Sequence, residues 1–323
     1  MKLNEIYRLA VEKGMEADPR GEDRLKKILS DRKKEYEKLD DKKKSIFDEQ
    51  KLSNPYDDTR ILWGDPNTEI KKVLAGIDIG GEEILLADRL REKGDFIDLI
   101  ISHHPEGYAL AGLYGVMDLQ EDVLFKLGVP INIAEGLMEP RIKEVERNVL
   151  PLNHNRAVDM ARILDIPFMC IHTPADNLVV RFLERKFEEK KPETLGDIID
   201  VLLEIPEYKK AAQLNAGPKC VVGSEKNRAG KIFVDMTGGT SGSEKSYEKL
   251  AQAGIGTIIG MHMGEKHRLE AEKYHINVVI AGHIASDSLG FNLFLDLLEE
   301  KGIKIESCSG FIRHSRLQKG GRV

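Results

Sequence analysis

The chain has 323 residues and a net charge of −6 at pH 7, and 41% of its residues are hydrophobic and 32% charged. This length allows one large domain or two ordinary ones, each with its own core. The mild negative charge argues against a general nucleic-acid-binding protein, which normally carries a basic face. No run of about eighteen apolar residues occurs, which excludes a membrane-spanning helix. The N-terminus lacks an apolar signal core, so we expect a cytoplasmic protein.

Three cysteines, Cys170, Cys220 and Cys308, lie far apart and without Cys-x-x-Cys spacing. This pattern predicts reduced, mostly buried thiols rather than a disulfide framework or a thiolate metal site. Metal ligands, if the chain has them, are therefore to be sought among its histidines and carboxylates.

Residues 1–70 are predicted to form an N-terminal helical extension. Apolar residues between Leu3 and Val11 predict a short amphipathic helix that ends near Gly14. A highly charged stretch at 21–51 has only a thin apolar stripe, which favours a solvent-exposed helix over a docking element. Turn-forming residues then separate this extension from the rest of the chain.

From Val73 onward, short apolar runs alternate with helical stretches, and the second half of the chain repeats this order. Such alternation predicts an α/β fold with a largely buried sheet. The predicted strands are 73–77, 98–101, 166–171, 219–222, 231–234, 256–259, 277–281 and 303–307. The predicted helices are 83–93, 118–127, 139–147, 155–164, 178–187, 194–203, 243–253 and 287–301.

Three of the predicted strands run directly into histidine-bearing segments, at 103–105, 172–176 and 283–287. In α/β sheets, ligands bind at the edge where the strands have their carboxyl ends. Six ligating side chains are therefore presented where one crevice could gather them: His103, His104, His172, Asp176, His283 and Asp287.

The spacing of these residues favours two metal ions over one. Neighbouring strand residues point to opposite faces, so His103 and His104 would chelate a single ion poorly but could serve two adjacent ions. The carboxylates of Asp176 and Asp287 can each bridge two cations. Nitrogen and carboxylate donors suit Zn, Fe, Mn or Ni, and the sequence does not choose among them. A single buried histidine is more often a hydrogen-bonded core residue, but three such segments together favour a metal site.

Three motifs resemble the signature of the NIF-three-like dinuclear metal-binding family, also labelled the GTP cyclohydrolase I type two homologue family. They are residues 101–105, the His172-Thr173-x-x-Asp176 segment and the Gly282-His283-x-x-Ser286-Asp287 segment. The resemblance covers about residues 70–315. It implies two similar α/β halves with mixed sheets, at 71–190 and 191–323, packed around a metal site at their interface. The C-terminal part of the second half would return to complete that site.

The resemblance also implies which residues bind the two divalent ions and how the chains assemble. His172 would orient a ligand or substrate rather than bind metal. The family implies a ring-shaped homohexamer built from dimers. Asp287 stands where the family usually has glutamate, and the helical extension has no counterpart in short members, so the chain resembles a divergent subfamily. The implied metal ligands are His103, His104, Asp176, His283 and Asp287.

A glycine-rich turn lies between a predicted strand and a predicted helix at 234–243. The backbone amides of Gly238, Gly239, Thr240 and Ser241 could cradle a phosphate. The turn lacks the Gly-Lys-Ser/Thr sequence of a nucleotide-binding P-loop, and a plain tight turn is the alternative interpretation. The family resemblance places a glycine-rich loop here, near the site.

Two further histidines, His262 and His267, follow the predicted strand 256–259. The resemblance places a histidine near His267 in the lining of the cavity. Either residue could transfer protons during catalysis, and a plain surface role is the alternative interpretation.

The leading functional hypothesis is a metal-dependent hydrolase that acts on a nucleotide-like or phosphorylated small molecule through metal-activated water. The alternative is a non-catalytic metal-binding, metal-delivery or regulatory ring scaffold. A nucleic-acid-associated ring is a third interpretation, which the net charge weakens. It depends on the basic residues at 42–44 and on Arg313, Arg316, Lys319 and Arg322.

Overall fold

The computed structural model describes residues 1–317. In this part of the chain none of the helices is both long and apolar enough to cross a membrane. The strands are β1 (Arg60–Trp63), β2 (Lys72–Gly76), β3 (Leu99–Ser102), β4 (Phe168–Cys170), β5 (Lys219–Val222), β6 (Lys231–Asp235), β7 (Ile255–Gly260), β8 (Asn277–Ile280) and β9 (Lys304–Cys308). The helices are α1 (Leu3–Ala17), α2 (Glu22–Glu37), α3 (Asp41–Lys44), α4 (Gly81–Glu92), α5 (Gly107–Ala111), α6 (Asp118–Leu127), α7 (Ile131–Val149), α8 (Arg156–Ile163), α9 (Thr173–Lys190), α10 (Leu195–Leu203), α11 (Pro206–Gln213), α12 (Ser246–Gln252), α13 (Glu265–Lys273) and α14 (His283–Glu300).

The first sheet has five strands in the order β1-β4-β3-β2-β9. Strand β1 runs antiparallel to β4, and the other pairs are parallel. The side chains of β2, β3 and β4 are buried on both faces, because α1, α9 and α14 cover one face while α4 and α8 cover the other. Burial on both faces is the reason that these strands are almost continuous apolar runs.

The second sheet has four strands in the order β5-β8-β7-β6, again with one antiparallel edge strand, β5. Helices α9, α10, α11 and α14 contribute to the core on one face. Helices α6 and α7 come from the long stretch between His104 and Asp176, and with α12 and α13 they form the core on the other face. The predicted α/β architecture with two mixed sheets is therefore confirmed.

Helices α9 and α14 contribute to the cores of both sheets. Apolar residues of α14 pack into the core of the first sheet, for example Phe291, and into the core of the second, for example Leu289. The helix is buried nearly all round its circumference, as expected of a helix held between two layers. The N-termini of α9 and α14 carry two of the predicted metal-ligand segments into this central layer.

The first 70 residues depart from the predicted helical extension in two respects. Helix α1 continues past Gly14 to Ala17, because Gly14 is a contact point with α9: an added Cβ would lie 2.6 Å from Pro174 Cβ. The extension also contributes β1, whose short sequence has no apolar alternation. The charged stretch at 21–51 forms α2, α3 and a 3₁₀ turn, and most of its side chains are exposed or half-buried, as expected.

The three cysteines form no disulfide within residues 1–317. Cys170 is buried in β4, and Cys220 and Cys308 are half-buried in β5 and β9. These positions agree with the predicted role as reduced thiols of the packed interior.

Candidate metal centre

The three histidine-bearing segments meet between the two sheets. His103 and His104 follow β3, His172 lies between the neighbouring strand β4 and α9, and His283 is the first residue of α14. The rings of His103 and His172 are 5.1 Å apart between centroids, and those of His104 and His283 are 5.3 Å apart. Gly282 makes the entry into α14 possible, since it has a φ of +118° and an added Cβ would lie 2.9 Å from the carbonyl oxygen of Ala216.

The ring nitrogens of these histidines face two buried carboxylates. His103 Nε2 lies 3.4 Å from Asp176 Oδ1 and 3.5 Å from Asp287 Oδ1. The Nε2 atoms of His104 and His283 each lie 3.4 Å from Asp287 Oδ2. Two donors that each lie about 2.1 Å from one tetrahedral ion are about 3.4 Å apart. The donor spacing therefore suits shared metal ions better than direct hydrogen bonds.

Several donor atoms of this cluster lack the partner that buried polar atoms normally have. Within the described residues, His103 Nε2, Asp176 Oδ1 and Asp287 Oδ2 are buried and make no hydrogen bond. Unpartnered buried polar atoms are rare in folded proteins and call for a ligand or another explanation. The three residues belong to groups of histidines and aspartates that are close enough together to hold a metal ion. The residues present thus fit a metal centre.

Three of the histidines are held in orientation by their other ring nitrogen. His103 Nδ1 is 3.1 Å from the carbonyl oxygen of Ile171, and His104 Nδ1 is 2.6 Å from Asp78 Oδ1. His172 Nδ1 is 2.8 Å from Asp58 Oδ2. A carbonyl or carboxylate on the outer nitrogen is the usual arrangement for metal-binding histidines, because it fixes the tautomer and the ring direction.

The electrostatics of the cluster favour positive charge. Burial alone would lower the pKa of His103, but the carboxylates of Asp287 and Asp176 raise it to about 10. Burial alone would raise the pKa of Asp287, yet the surrounding histidines, His103 foremost, hold it well below its usual range. The site is therefore dominated by buried negative charge that a cation can neutralise.

The structure brings the five predicted ligands and His172 into one cluster, and it adds two carboxylates that the sequence did not indicate. Asp58 and Asp78 hold His172 and His104 but lie outside the histidine-bearing motifs. The only sequence signal for Asp58 is the polar run Asp57-Asp58-Thr59-Arg60, which leads into β1. All four residues of this run are buried. No spacing rule could have paired Asp58 with His172, which is 114 residues away.

The glycine-rich turn lines the cleft beside the cluster, and its glycines allow close packing. Gly239, Thr240 and Ser241 face the cleft together with His172, Asp176, His262, His283 and Asp287. Gly238 lies under α6, where Gln120 Nε2 donates to the carbonyl oxygens of Gly238 and Thr240 at 2.8 and 2.7 Å. An added Cβ at Gly238 would lie 2.7 Å from Gln120 Cγ. Helix α12 begins at Ser246, later than predicted, so the turn is not itself a helix N-terminus.

The two candidate proton-transfer histidines occupy different places. His262 lines the cleft, and its ring centroid lies 4.9 Å from that of His283. His267 lines a neighbouring, mainly apolar cavity, with Nε2 3.2 Å from the carbonyl oxygen of Gly242. The cleft and the cavity share Asp235, Met236 and Thr237 as lining residues. Only His262 is thus brought next to the predicted ligands.

Some of the basic residues noted in the sequence pair with acidic neighbours in the part of the chain that the structure describes. Lys42, Lys43 and Lys44 are exposed or half-exposed on α3. Arg313 pairs with Asp296 and Glu299, and Arg316 pairs with Glu207, so acidic neighbours neutralise both arginines. Lys319 and Arg322 lie outside the described residues.

The fold and the site together define a class: an α/β protein of two mixed sheets with a His/Asp metal-binding cluster between them. No protein-family model and no curated protein matched the sequence. Among solved structures, a NIF3 superfamily protein from Sphaerobacter thermophilus is similar, at 27% identity and a TM-score of 0.72, over 80% of this chain and 94% of that one. Reduced HcgD from Methanocaldococcus jannaschii is similar in fold, at 18% identity and a TM-score of 0.50, over 80% of this chain and 91% of that one. The first of these structures supports the resemblance to the NIF3-like family that the motifs predicted, and the second supports the fold alone.

Proposed function

We propose that this protein binds two divalent metal ions and acts as a metal-dependent hydrolase on a nucleotide-like or phosphorylated small molecule. The observation that carries the proposal is the set of histidine and carboxylate donor atoms spaced 3.4–3.5 Å apart, three of which are buried and make no hydrogen bond within the described residues. The proposed ligands are His103, His104, Asp176, His283 and Asp287.

Two ions are proposed because Asp287 offers its two oxygens in two directions. Oδ1 faces His103, while Oδ2 faces His104 and His283. Asp176 adds a second carboxylate on the side of His103. One carboxylate between two groups of nitrogen donors suits a bridging ligand, whereas a single ion would leave one group without a partner.

The accessibility of the centre supports a hydrolase over a closed scaffold. His283 has a side chain that is 41% exposed, so the cleft reaches the cluster from this side. Catalytic metal sites keep an open position, whereas structural sites are closed by protein ligands. Bound divalent ions would activate a water for attack and polarise the substrate oxygen. His262 would transfer the proton at the cleft, and His267, from the adjoining cavity, would contact a more distant part of the substrate.

The turn at Gly239–Ser241 is the proposed position of the substrate's phosphate or other anionic group. It lines the same cleft as the cluster, and Gln120 holds its backbone through hydrogen bonds to the carbonyl oxygens of Gly238 and Thr240. A fixed turn orients an anion at little ordering cost. The backbone N–H groups of Gly239 and Ser241 would donate to the anion, whereas that of Thr240 already donates to the carbonyl oxygen of Gly238 at 3.1 Å. Gly238 supports the turn from below.

The first test is the metal content of the purified protein beside that of a His103→Ala, His283→Ala double variant. We expect about two divalent ions per chain in the wild type and a large loss in the double variant. His314→Ala is the matched control, because His314 is exposed and distant from the cluster in sequence. Equal metal content in the wild type and the double variant would disprove the proposed centre.

Activity measured on a panel of phosphoesters and nucleotides then distinguishes a hydrolase from a non-catalytic scaffold. We expect turnover of at least one class by the metal-loaded wild type, and a loss of about 10²–10⁴-fold in His262→Ala with its metal content unchanged. A fully loaded protein without turnover on any member of the panel would favour the metal-delivery or regulatory scaffold.

A further inference from the structure

The N-terminal extension contributes a buried carboxylate, that of Asp58, which contacts His172 of the histidine cluster. We propose that Asp58 is a positioning residue that holds His172 as an additional metal ligand. This inference rests on the proposed metal site and goes beyond it, since the sequence motifs imply no role for the extension and assign His172 only an orienting one.

Asp58 has a fully buried side chain that accepts three hydrogen bonds from two consecutive residues. His172 Nδ1 lies 2.8 Å from Asp58 Oδ2, Thr173 Oγ1 lies 2.6 Å from it, and the backbone N–H of Thr173 lies 3.3 Å from it. The neighbouring Thr59 Oγ1 also accepts the backbone N–H of His172 at 3.1 Å. The segment that precedes β1 therefore holds both the backbone and the ring of His172.

The Asp58 contact determines which ring nitrogen of His172 can bind a metal. A carboxylate accepts a hydrogen bond, so Nδ1 carries the proton and the neutral ring presents Nε2 as a lone-pair donor. Within the described residues Nε2 makes no hydrogen bond, and it faces the cleft 3.8 Å from Asp176 Oδ2. His103, His104 and His172 each have one ring nitrogen within 4.8 Å of a ring nitrogen of the other two. A carboxylate–imidazole pair aimed at such a cluster is the arrangement that orients metal-binding histidines.

The segment around Asp58 is built to hold a fixed position. Arg60 donates to the carbonyl oxygen of Thr59 and to Asp57, and Asn54 Nδ2 also donates to the Thr59 carbonyl. All these side chains are buried, and burying so many polar groups in a connecting segment costs free energy unless each group is paired. These hydrogen bonds hold the backbone next to Asp58 in place and so keep its carboxylate against His172.

The test is a titration of the full-length, metal-free protein with Co²⁺, followed by the visible absorption of the bound ion. We expect Asp58→Ala to weaken Co²⁺ binding by about 10–100-fold and to change the absorption spectrum, because an imidazole donor loses its orientation. Asp58→Asn should retain most of the affinity, since an amide oxygen can still accept the hydrogen bond from His172 Nδ1. Asp57→Asn is the matched control: Asp57 is equally buried but pairs with Lys51 and Arg60.

A double-variant cycle with His172→Ala shows whether Asp58 acts through His172. We expect His172→Ala to lose affinity as Asp58→Ala does, and the double variant to lose no more than His172→Ala alone. Wild-type affinity and spectrum in His172→Ala would overturn the inference, as would equal losses in Asp57→Asn and Asp58→Ala. If the wild type itself binds no Co²⁺, the proposed function fails as well. If Asp58→Ala does not fold, His172→Ala and Asp58→Asn carry the test.

Discussion

Each anchored histidine of the cluster uses one ring nitrogen for orientation and presents the other to the centre. The anchors differ in their environment: Asp58 is fully buried, whereas the Asp78 side chain is 70% exposed. A buried anchor cannot be replaced by water, while an exposed one can, so the two carboxylates are not equivalent supports. At the scale of single residues, the rigidity of the site therefore varies from one histidine to the next.

Asp287 is the residue whose loss should affect both ions. Its oxygens face His103 on one side and His104 and His283 on the other. We therefore expect Asp287→Asn to lower the affinity for both metal ions by at least about 100-fold, so that the purified variant loses most of both. Elemental analysis of the purified variants measures this. Asp200→Asn, an exposed change on α10, should keep wild-type content. Retention of one full equivalent in Asp287→Asn would argue against a bridging role.

The central pair of helices, α9 and α14, determines the position of the site at the scale of secondary structure elements. Both helices begin at a ligand segment, and they approach so closely that a Cβ added at Gly290 would lie 2.2 Å from the carbonyl oxygen of Ala175. This contact lies one residue from Asp176 and three from Asp287. The metal ligands are therefore held by helix packing as well as by their own hydrogen bonds.

Gly290→Ala is expected to destabilise the fold by about 1–3 kcal/mol, because the backbone of α9 must move. It should also weaken metal binding, since the two helices carry three of the clustered side chains, those of Asp176, His283 and Asp287. Gly136→Ala, on the exposed side of α7, is the control: an added Cβ there meets no described atom within 4 Å, and we expect a gain of about 0.5–1 kcal/mol. Urea unfolding measures both variants. If Gly290→Ala leaves the free energy of unfolding unchanged, α9 and α14 can move apart at little cost.

Helix α6 carries an acidic group whose ionisation should oppose folding. Burial, with Asp118 nearby, raises the pKa of Glu121 from 4.5 to about 7. A pKa that is higher in the folded state means that stability is lost as the pH rises from about 4.5 to about 7. Glu121→Gln should therefore be more stable than the wild type at pH 8, by about 1 kcal/mol for this half-buried group, and equal to it at pH 4. Unfolding at both pH values measures this, and an equal difference at both would contradict it.

At the scale of the whole molecule, the two sheets share one layer of helices, and chain segments cross between the halves. Helices α6 and α7 leave the first half and pack on the second sheet, and β9 returns from the second half to pair with β2. These crossings argue that the halves predicted at 71–190 and 191–323 fold as one cooperative unit. The division into separate halves stays a prediction.

The prediction that belongs to the whole molecule concerns its oligomeric state. The resemblance to the NIF3-like family leads us to propose a homohexamer built from dimers. Several large apolar side chains are exposed on the single chain, among them Phe96, Phe125 and Ile163. Buried in subunit contacts, such side chains would contribute to assembly. Light scattering coupled to size exclusion should give six times the chain mass of 36.3 kDa. A monomer mass over a wide concentration range would exclude the ring.

The sequence by itself determined the class of fold and the residues that could bind metal. Buried parallel strands must be apolar on both faces, so all eight predicted strands are found, and the polar residues after them mark the edge where the site forms. Less was visible where local signals are weak. Strand β1 is short and contains the buried Arg60, and α13 is so highly charged that it lacks an apolar face. Whether His103, His104, Asp176, His283 and Asp287 bind metal stays a prediction.

Only the tertiary structure decided how these residues are supported. The pairing of Asp58 with His172 joins positions 114 residues apart. Gln120 of α6, in the first half of the chain, donates hydrogen bonds to the glycine-rich turn in the second half. Sequence periodicity reports which side of a local element is buried, whereas such contacts depend on how distant elements pack, and packing has no local pattern. The sequence therefore predicted which residue types could bind metal, but the orientation of their side chains could be seen only in the tertiary structure.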